Sequence, residues 1–221
     1  MITKIKKLPE PVGISAEAIK IENLFRAYPD EVQLFKQNET GAVISLLYGD
    51  AIIYGNIEAD EVKQFLSFSG VKSVFCSSDN MKLLFPEYKS ANVLICEKPI
   101  HTNTKNMFCD TLSSKEIFDI LSPHFPLPSY EHFATDYCRR LNHGLIKVFA
   151  KKNLCVALTL ESDNCRLLSG IVSNKKGMGG ALLLQAINGD KPVLCVCRDE
   201  LLPFYKQYGF KELCKAGYWR K

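Results

Sequence analysis

No apolar stretch in the sequence comes near the ~18 residues of a membrane-spanning helix, which argues against a membrane partner. The opening Met1-Ile2-Thr3-Lys4-Ile5-Lys6-Lys7-Leu8-Pro9 has no apolar core of the kind a secretion signal carries, so a cytoplasmic location is expected. Basic runs stop at two residues and do not interleave with aromatics. Together with a net charge of only +4, this makes nucleic acid an unexpected partner. No two cysteines stand in a Cys-x-x-Cys spacing, and the spacings supply no zinc ligand set, so no metal is expected.

Cysteine itself is plentiful, with nine residues. An odd number without paired spacing reads as buried thiols in a reducing compartment. Cys195 and Cys197 flank Val196 and would share one face of a strand. The 221 residues, 47% hydrophobic and 24% charged, suit a globular chain of one large or two small domains.

Apolar spacing predicts a helix from Ser15 to Ala27, capped by Ser15 and stopped by Pro29. Strands follow at Val32–Lys36, Gly41–Tyr48 and Ala51–Tyr54, the last two joined by a Gly49-Asp50 turn. A helix from Glu58 to Phe68, a strand from Lys72 to Cys76, a short helix capped by Ser78 and a strand from Tyr88 to Glu97 complete a first half. Residues 99–129 are rich in proline and read as a connection, with a capping box at Ser113-Ser114-Lys115-Glu116. The second half predicts a helix from Tyr130 to Leu141, a hairpin of Leu145–Ala150 with Leu154–Glu161, and a strand from Cys165 to Ser173. A helix from Met178 to Ile187, a strand from Pro192 to Cys197, a helix from Glu200 to Gln207 and a strand from Phe210 to Trp219 follow. Both halves thus run strand, strand, strand, helix, strand, helix, strand. The expected division is 1–98, 99–129 and 130–221, in a mixed α/β fold with a largely antiparallel sheet.

The segment Ser169-Gly170-Ile171-Val172-Ser173-Asn174-Lys175-Lys176-Gly177-Met178-Gly179-Gly180 is a strand, a basic glycine loop and a helix start. The first N–H groups of a helix have no internal partner, and its dipole favours negative charge there, so this junction is a candidate anion site. Gly177, Gly179 and Gly180 remove side chains that would hold an anion away from the backbone, and Lys175 and Lys176 add positive charge. The matching junction of the first half, Tyr54-Gly55-Asn56-Ile57-Glu58-Ala59-Asp60-Glu61, has one glycine and three carboxylates, which would repel an anion.

The second half resembles the GCN5-related N-acetyltransferase (GNAT) family. That family's acyl-CoA loop, Arg/Gln-x-x-Gly-x-Gly/Ala, stands here as Asn174-Lys175-Lys176-Gly177-Met178-Gly179, with Asn174 departing from the pattern. A second landmark, Tyr followed four residues later by Gly-Phe, stands as Tyr205-Lys206-Gln207-Tyr208-Gly209-Phe210. The segment from Phe133 to Gly144 also looks like a helix of a two-part bacterial GNAT subgroup. The resemblance implies a tandem GNAT fold, its first half degenerate and without the phosphate loop. It implies acetyl-CoA as co-substrate and direct attack by an amine, without a covalent enzyme intermediate. Ile171, Val172 and Ser173 would pair with the pantetheine arm, Asn174 through Gly180 would hold the pyrophosphate, and Tyr205 would be the general acid for the departing thiolate. The expected acceptor is a small-molecule amine, and the chain a monomer or homodimer.

Glu161, Asp163, Asp199, Glu200 and His143 are candidate bases, yet each has a stronger structural reading as a turn carboxylate, a helix-start carboxylate or a helix-end imidazole. Three other readings stay open at this point. They are a catalytically inactive acyl-CoA binder, a transferase drawing on an acyl carrier or aminoacyl-tRNA, and a nucleotide-binding domain. The last wants an acidic residue at the end of the following strand, whereas Asp190 precedes that strand.

Overall fold

The computed structural model describes residues 1–9, 14–97 and 107–221; the part of the expected connection over 98–106 lies outside them. The chain forms two compact units. One comprises Met1–Leu94, Val196–Pro203 and Lys211–Lys221, the other Ile95–Cys195 and Phe204–Phe210.

The first unit contains β1 (Ile2–Ile5), α1 (Ala16–Ala27), β2 (Gln33–Gln37), β3 (Val43–Leu47), β4 (Asp50–Tyr54), α2 (Ala59–Phe68), β5 (Ser73–Ser77), α3 (Ser78–Leu84) and β6 (Lys89–Cys96). Ser15 caps α1 by accepting from the Ala18 N–H at 3.0 Å, and α1 buries Ala16, Ala18, Ile19 and Ile21. Two expectations shift by one residue. The turn between β3 and β4 is Tyr48-Gly49, both at positive φ, because Asp50 already pairs with Leu47. Ser77, rather than Ser78, caps α3, while the Ser78 hydroxyl lies 2.6 Å from that of Tyr88. Strand β1 was not expected; its burial hardly alternates, leaving little period-2 signal.

The second unit contains α4 (Ser114–Leu121), α5 (Tyr130–Asn142), β7 (Ile146–Lys151), β8 (Cys155–Glu161), β9 (Arg166–Ser173), α6 (Met178–Ile187) and β10 (Val193–Cys197). After a 3-10 turn in the first unit, α7 (Leu202–Lys206) begins there and ends in the second, and β11 (Lys211–Arg220) belongs to the first. The capping box opens α4 as expected, with Ser113 and Glu116 each bonding the other's backbone N–H. Strands β10, β9, β8 and β7 lie side by side in that order. The pairs β7/β8 and β8/β9 are antiparallel and β9/β10 is parallel, with α6 as its crossover. Helices α4 and α5 cover this sheet through Ile117, Ile120, Leu121 and Tyr137, packed with Val156, Leu158 and Val172.

The repeat expected from the sequence is present as β2-β3-β4-α2-β5-α3-β6 and β7-β8-β9-α6-β10-α7-β11, with a parallel pair at β4/β5 as at β9/β10. The last strand departs from a division at residue 130. Strand β11 pairs antiparallel with β5, from Ala216↔Ser77 to Arg220↔Ser73, and so completes the first unit. Its seat there is shaped by size: a Cβ on Gly217 would fall 2.7 Å from Met81 and 2.8 Å from Tyr88. Trp219 stacks on Phe85 at 4.0 Å.

Two buried polar side chains fix α6. Gln185 accepts from the N–H groups of Met107 and Phe108, both at 3.1 Å, where the chain rejoins the described structure. Arg166, at the start of β9, donates to the carbonyls of Ala186, Ile187 and Asn188 at 3.0–3.1 Å. These are orphan acceptors at the C-terminus of α6, and a cation there also meets the negative end of the dipole. Burial lowers the guanidinium's affinity for its proton only within a range where it stays charged.

Two stability outcomes follow from these contacts. Gly217→Val should destabilise the protein by about 1–3 kcal/mol through overpacking against Met81 and Tyr88. Arg166→Met, which keeps the bulk but strips three carbonyls of their donor, should cost about 1–3 kcal/mol. Urea unfolding with midpoints compared at constant slope checks both.

Candidate functional site

The site begins with an irregularity in β9. Strand β8 pairs Leu158 with Gly170 and Thr159 with Leu168, so Ser169 is an extra, bulged residue. Its hydroxyl donates to the Leu158 carbonyl at 3.2 Å. On the other edge, among the described residues, β9 pairs with β10 only from Arg166 to Leu168. Pairing with β10 therefore stops at the bulge, while pairing with β8 runs on to Ser173↔Cys155. Bulges bend a strand and end its pairing on one side. Past Ser169, β9 carries Ile171, Val172 and Ser173 with one edge bonded and one turned away from its parallel neighbour. The Val172 side chain is buried in the core; Ile171 and Ser173 are half-buried.

The loop after β9 is held by its own backbone. The Asn174 N–H donates to the Leu154 carbonyl at 2.8 Å, and the Ser173 hydroxyl donates to the Lys175 carbonyl at 2.8 Å. Asn174, Lys175 and Lys176 are exposed. Gly177 turns the chain into α6 at φ +86°, a left-handed conformation that favours glycine, and nothing lies within 4 Å of where its Cβ would stand. Helix α6 starts with no side-chain cap and no acidic residue in its first turn. Four N–H groups open each helix without intrahelical partners; here only Met178 has another partner in the loop, the Lys175 carbonyl at 3.3 Å. The β4–α2 junction is arranged in the opposite sense. The Glu58 carboxylate accepts from the N–H groups of Asp60 and Glu61 at 3.3 and 2.9 Å, filling the helix start with a negative side chain.

The glycines after Gly177 serve a different neighbour. A Cβ on Gly180 would fall 1.8 Å from the Tyr208 hydroxyl oxygen and 2.6 Å from its Cζ. At Gly179 the nearest groups are Phe204 and Ser173, in ordinary contact at 3.9 Å. Of the three spaces expected to admit an anion, the one at Gly177 is open and the one at Gly180 is filled by an aromatic ring. Sequence reasoning passed over Tyr208. The available signal was a glycine in the first turn of a helix, where it costs about 1 kcal/mol against alanine and so calls for a packing partner.

Tyr205 lies in α7 and is 5% exposed. Its ring stands edge-on to Phe204 and Phe210, with centroids 5.2 and 5.4 Å away. Its carbonyl accepts from the Tyr208 N–H at 3.0 Å and the Phe210 N–H at 3.3 Å, closing the turn that Gly209 ends at φ +85°.

Two of the carboxylates considered as bases are engaged by neighbours. Glu161 accepts from the Thr159 hydroxyl at 2.9 Å and pairs with Lys147 at 3.1 Å. It sits opposite Arg166, seven residues before Ser173 and so about 23 Å along the strand from the loop end. Asp199 accepts from the buried amide of Asn92 at 2.6 Å. Asp163 and Glu200 are exposed, and His143 is the C-cap of α5, its N–H donating to the Arg139 carbonyl at 3.2 Å. Among the described residues no group of three or more His, Cys, Asp or Glu is arranged to hold a metal ion. Of the nine cysteines six are buried, and burial pushes the Cys76 thiol up to about 12. No helix of the described residues is long and apolar enough to cross a membrane.

No protein-family model matches the chain, and no curated protein matches it. Solved structures match it in fold. A GCN5-related N-acetyltransferase from Sphaerobacter thermophilus aligns over 90% of this chain and 84% of its own, with a TM-score of 0.57 and 14% identity. A tandem GNAT protein from the clavulanic acid biosynthesis pathway aligns over 96% of this chain and 89% of its own, with a TM-score of 0.50 and 7% identity. At such identities the likeness is one of fold. The bulged β9, the parallel β9/β10 pair and the α6 crossover belong to a chain with the fold of the GCN5-related N-acetyltransferases, its order of elements occurring twice.

Proposed function

We propose that this chain is an acetyl-CoA-dependent N-acetyltransferase that acts on a primary amine of a small molecule. The observation that carries the reading is a coincidence in one place. The edge of β9 freed after Ser169 leads straight into a helix start that lacks both a side-chain cap and an acid. An acyl-CoA is an extended amide chain joined to a pyrophosphate, and these residues fit both parts. Backbone groups of Ile171, Val172 and Ser173 bond the pantetheine amides. The N–H groups following Asn174, with Gly177 giving open access and Lys175 and Lys176 adding charge, hold the pyrophosphate. Bound there, acetyl-CoA supplies an activated thioester.

The amine attacks the thioester carbon directly. Tyr205 donates a proton to the sulfur as the C–S bond breaks, and the proton that the nitrogen loses on becoming an amide passes to water, from which the phenol is restored. A thiol with a pKa of roughly 8.5 is a leaving group that a nearby phenol can serve as general acid. The first unit contributes no second anion site on this reading, because Glu58 already fills the start of α2.

A second reading, an acyl-CoA-binding protein without turnover, is favoured by one observation. Glu161 and Asp199, two of the carboxylates that could deprotonate an amine, are engaged with Lys147, Thr159 and Asn92.

Calorimetry with CoA should give saturable binding with Kd in the range of about 1 µM to 1 mM; no saturation at millimolar ligand rejects both readings. Reversing charge at Lys175 and Lys176 together should weaken binding about tenfold at low salt and less at high salt. Tyr205→Phe should lower kcat by about 100-fold or more with little change in CoA affinity; full turnover in that variant removes the general-acid role. Tight CoA binding without turnover across a broad panel of amines would select the second reading.

A further inference from the structure

We propose that Gly180 and Tyr208 form an interlocking pair that sets the position of Tyr205, making both of them positioning residues. Helix α7 is only five residues long, Leu202–Lys206. A helix that short has no stability of its own, so its place must come from packing. The packing is visible at one point. The Tyr208 ring occupies the space in which any other residue at 180 would carry its Cβ, with the hydroxyl oxygen 1.8 Å from that position. Helix α6 is itself anchored at its far end by Arg166, so the slot at Gly180 is a fixed point.

From that point the constraint passes to Tyr205 through direct contacts. The Tyr208 N–H donates to the Tyr205 carbonyl at 3.0 Å. Phe204 stands edge-on to both rings, at 5.3 Å from Tyr208 and 5.2 Å from Tyr205, and lies 3.9 Å from where a Cβ on Gly179 would stand. Phe210 closes the cluster against Tyr205 at 5.4 Å. The missing side chain at Gly180 therefore lets Tyr208 of the α7 turn seat against the start of α6. The hydroxyl of Tyr205 inherits its position from that seat.

The inference rests on the reading of Tyr205 as the acid, and its test separates the two. With 3-fluorotyrosine placed at position 205, Gly180→Ala should move the fluorine resonance, because the added methyl displaces the Tyr208 ring. In the unlabelled protein the same change should lower kcat about tenfold or more. Combining Gly180→Ala with Tyr208→Leu gives the methyl the space the ring vacates, and should return the resonance and most of kcat towards wild type. Should Gly180→Ala alone not fold, Tyr208→Leu alone, which adds no clash, must still move the resonance. A resonance at 205 that ignores both changes overturns the interlock, as does a double variant no closer to wild type than Gly180→Ala. If the resonance follows the pattern and the wild-type protein acetylates no amine, the interlock stands and the acetyl-transfer reading falls.

Discussion

The extra residue in β9 is the constraint on which the rest of the second unit depends. A parallel pair such as β9/β10 normally continues as far as both strands extend, since each unpaired N–H or C=O forfeits a hydrogen bond. Here pairing ends at Leu168↔Cys195, at the bulge on Ser169. The pairing with β8 compensates on one side only, leaving a polar edge from Gly170 to Ser173 in a unit that is otherwise close-packed. That edge runs directly into a helix start that is also left polar. On the proposed reading these adjacent backbone groups, one set of strand type and one of helix type, bind a chain of amides ending in an anion.

The two halves of the molecule use the same topology to opposite electrostatic ends. At the β4–α2 junction Glu58 supplies the negative charge that the helix start favours, and Asp60 and Glu61 surround it with more. At the β9–α6 junction no side chain fills that role. The first unit also takes in the C-terminal strand over Gly217 and seats Trp219 on Phe85.

Much of this was legible in the residues. Local signals that act within a few positions came through: the Ser15 cap, the Ser113–Glu116 capping box, and the alternation of seven elements in each half. The glycine loop and the Tyr205 landmark fell at the β9–α6 junction and in α7. The unread features depend on distant partners. Strand β11 pairs with β5, more than a hundred residues earlier, a choice set by the fit of Gly217 under Met81 and Tyr88. Gly180 looked like an opening for a phosphate, because the sequence does not reveal that Tyr208 fills it. The bulge at Ser169 had a faint signal, a glycine next to a serine inside an apolar strand. The engagement of Glu161 and Asp199 could be seen only once Lys147 and Asn92 were placed beside them.

The central claim is that one acyl-CoA binds along β9 and the start of α6. Amide chemical-shift mapping during a CoA titration tests it most directly. The account predicts that the perturbed amides cluster at Gly170–Ser173 and Lys175–Ala181, with those of Gly55–Glu61 unchanged. Perturbations centred on Gly55–Glu61, or no perturbation of the β9–α6 amides at saturating CoA, would contradict it.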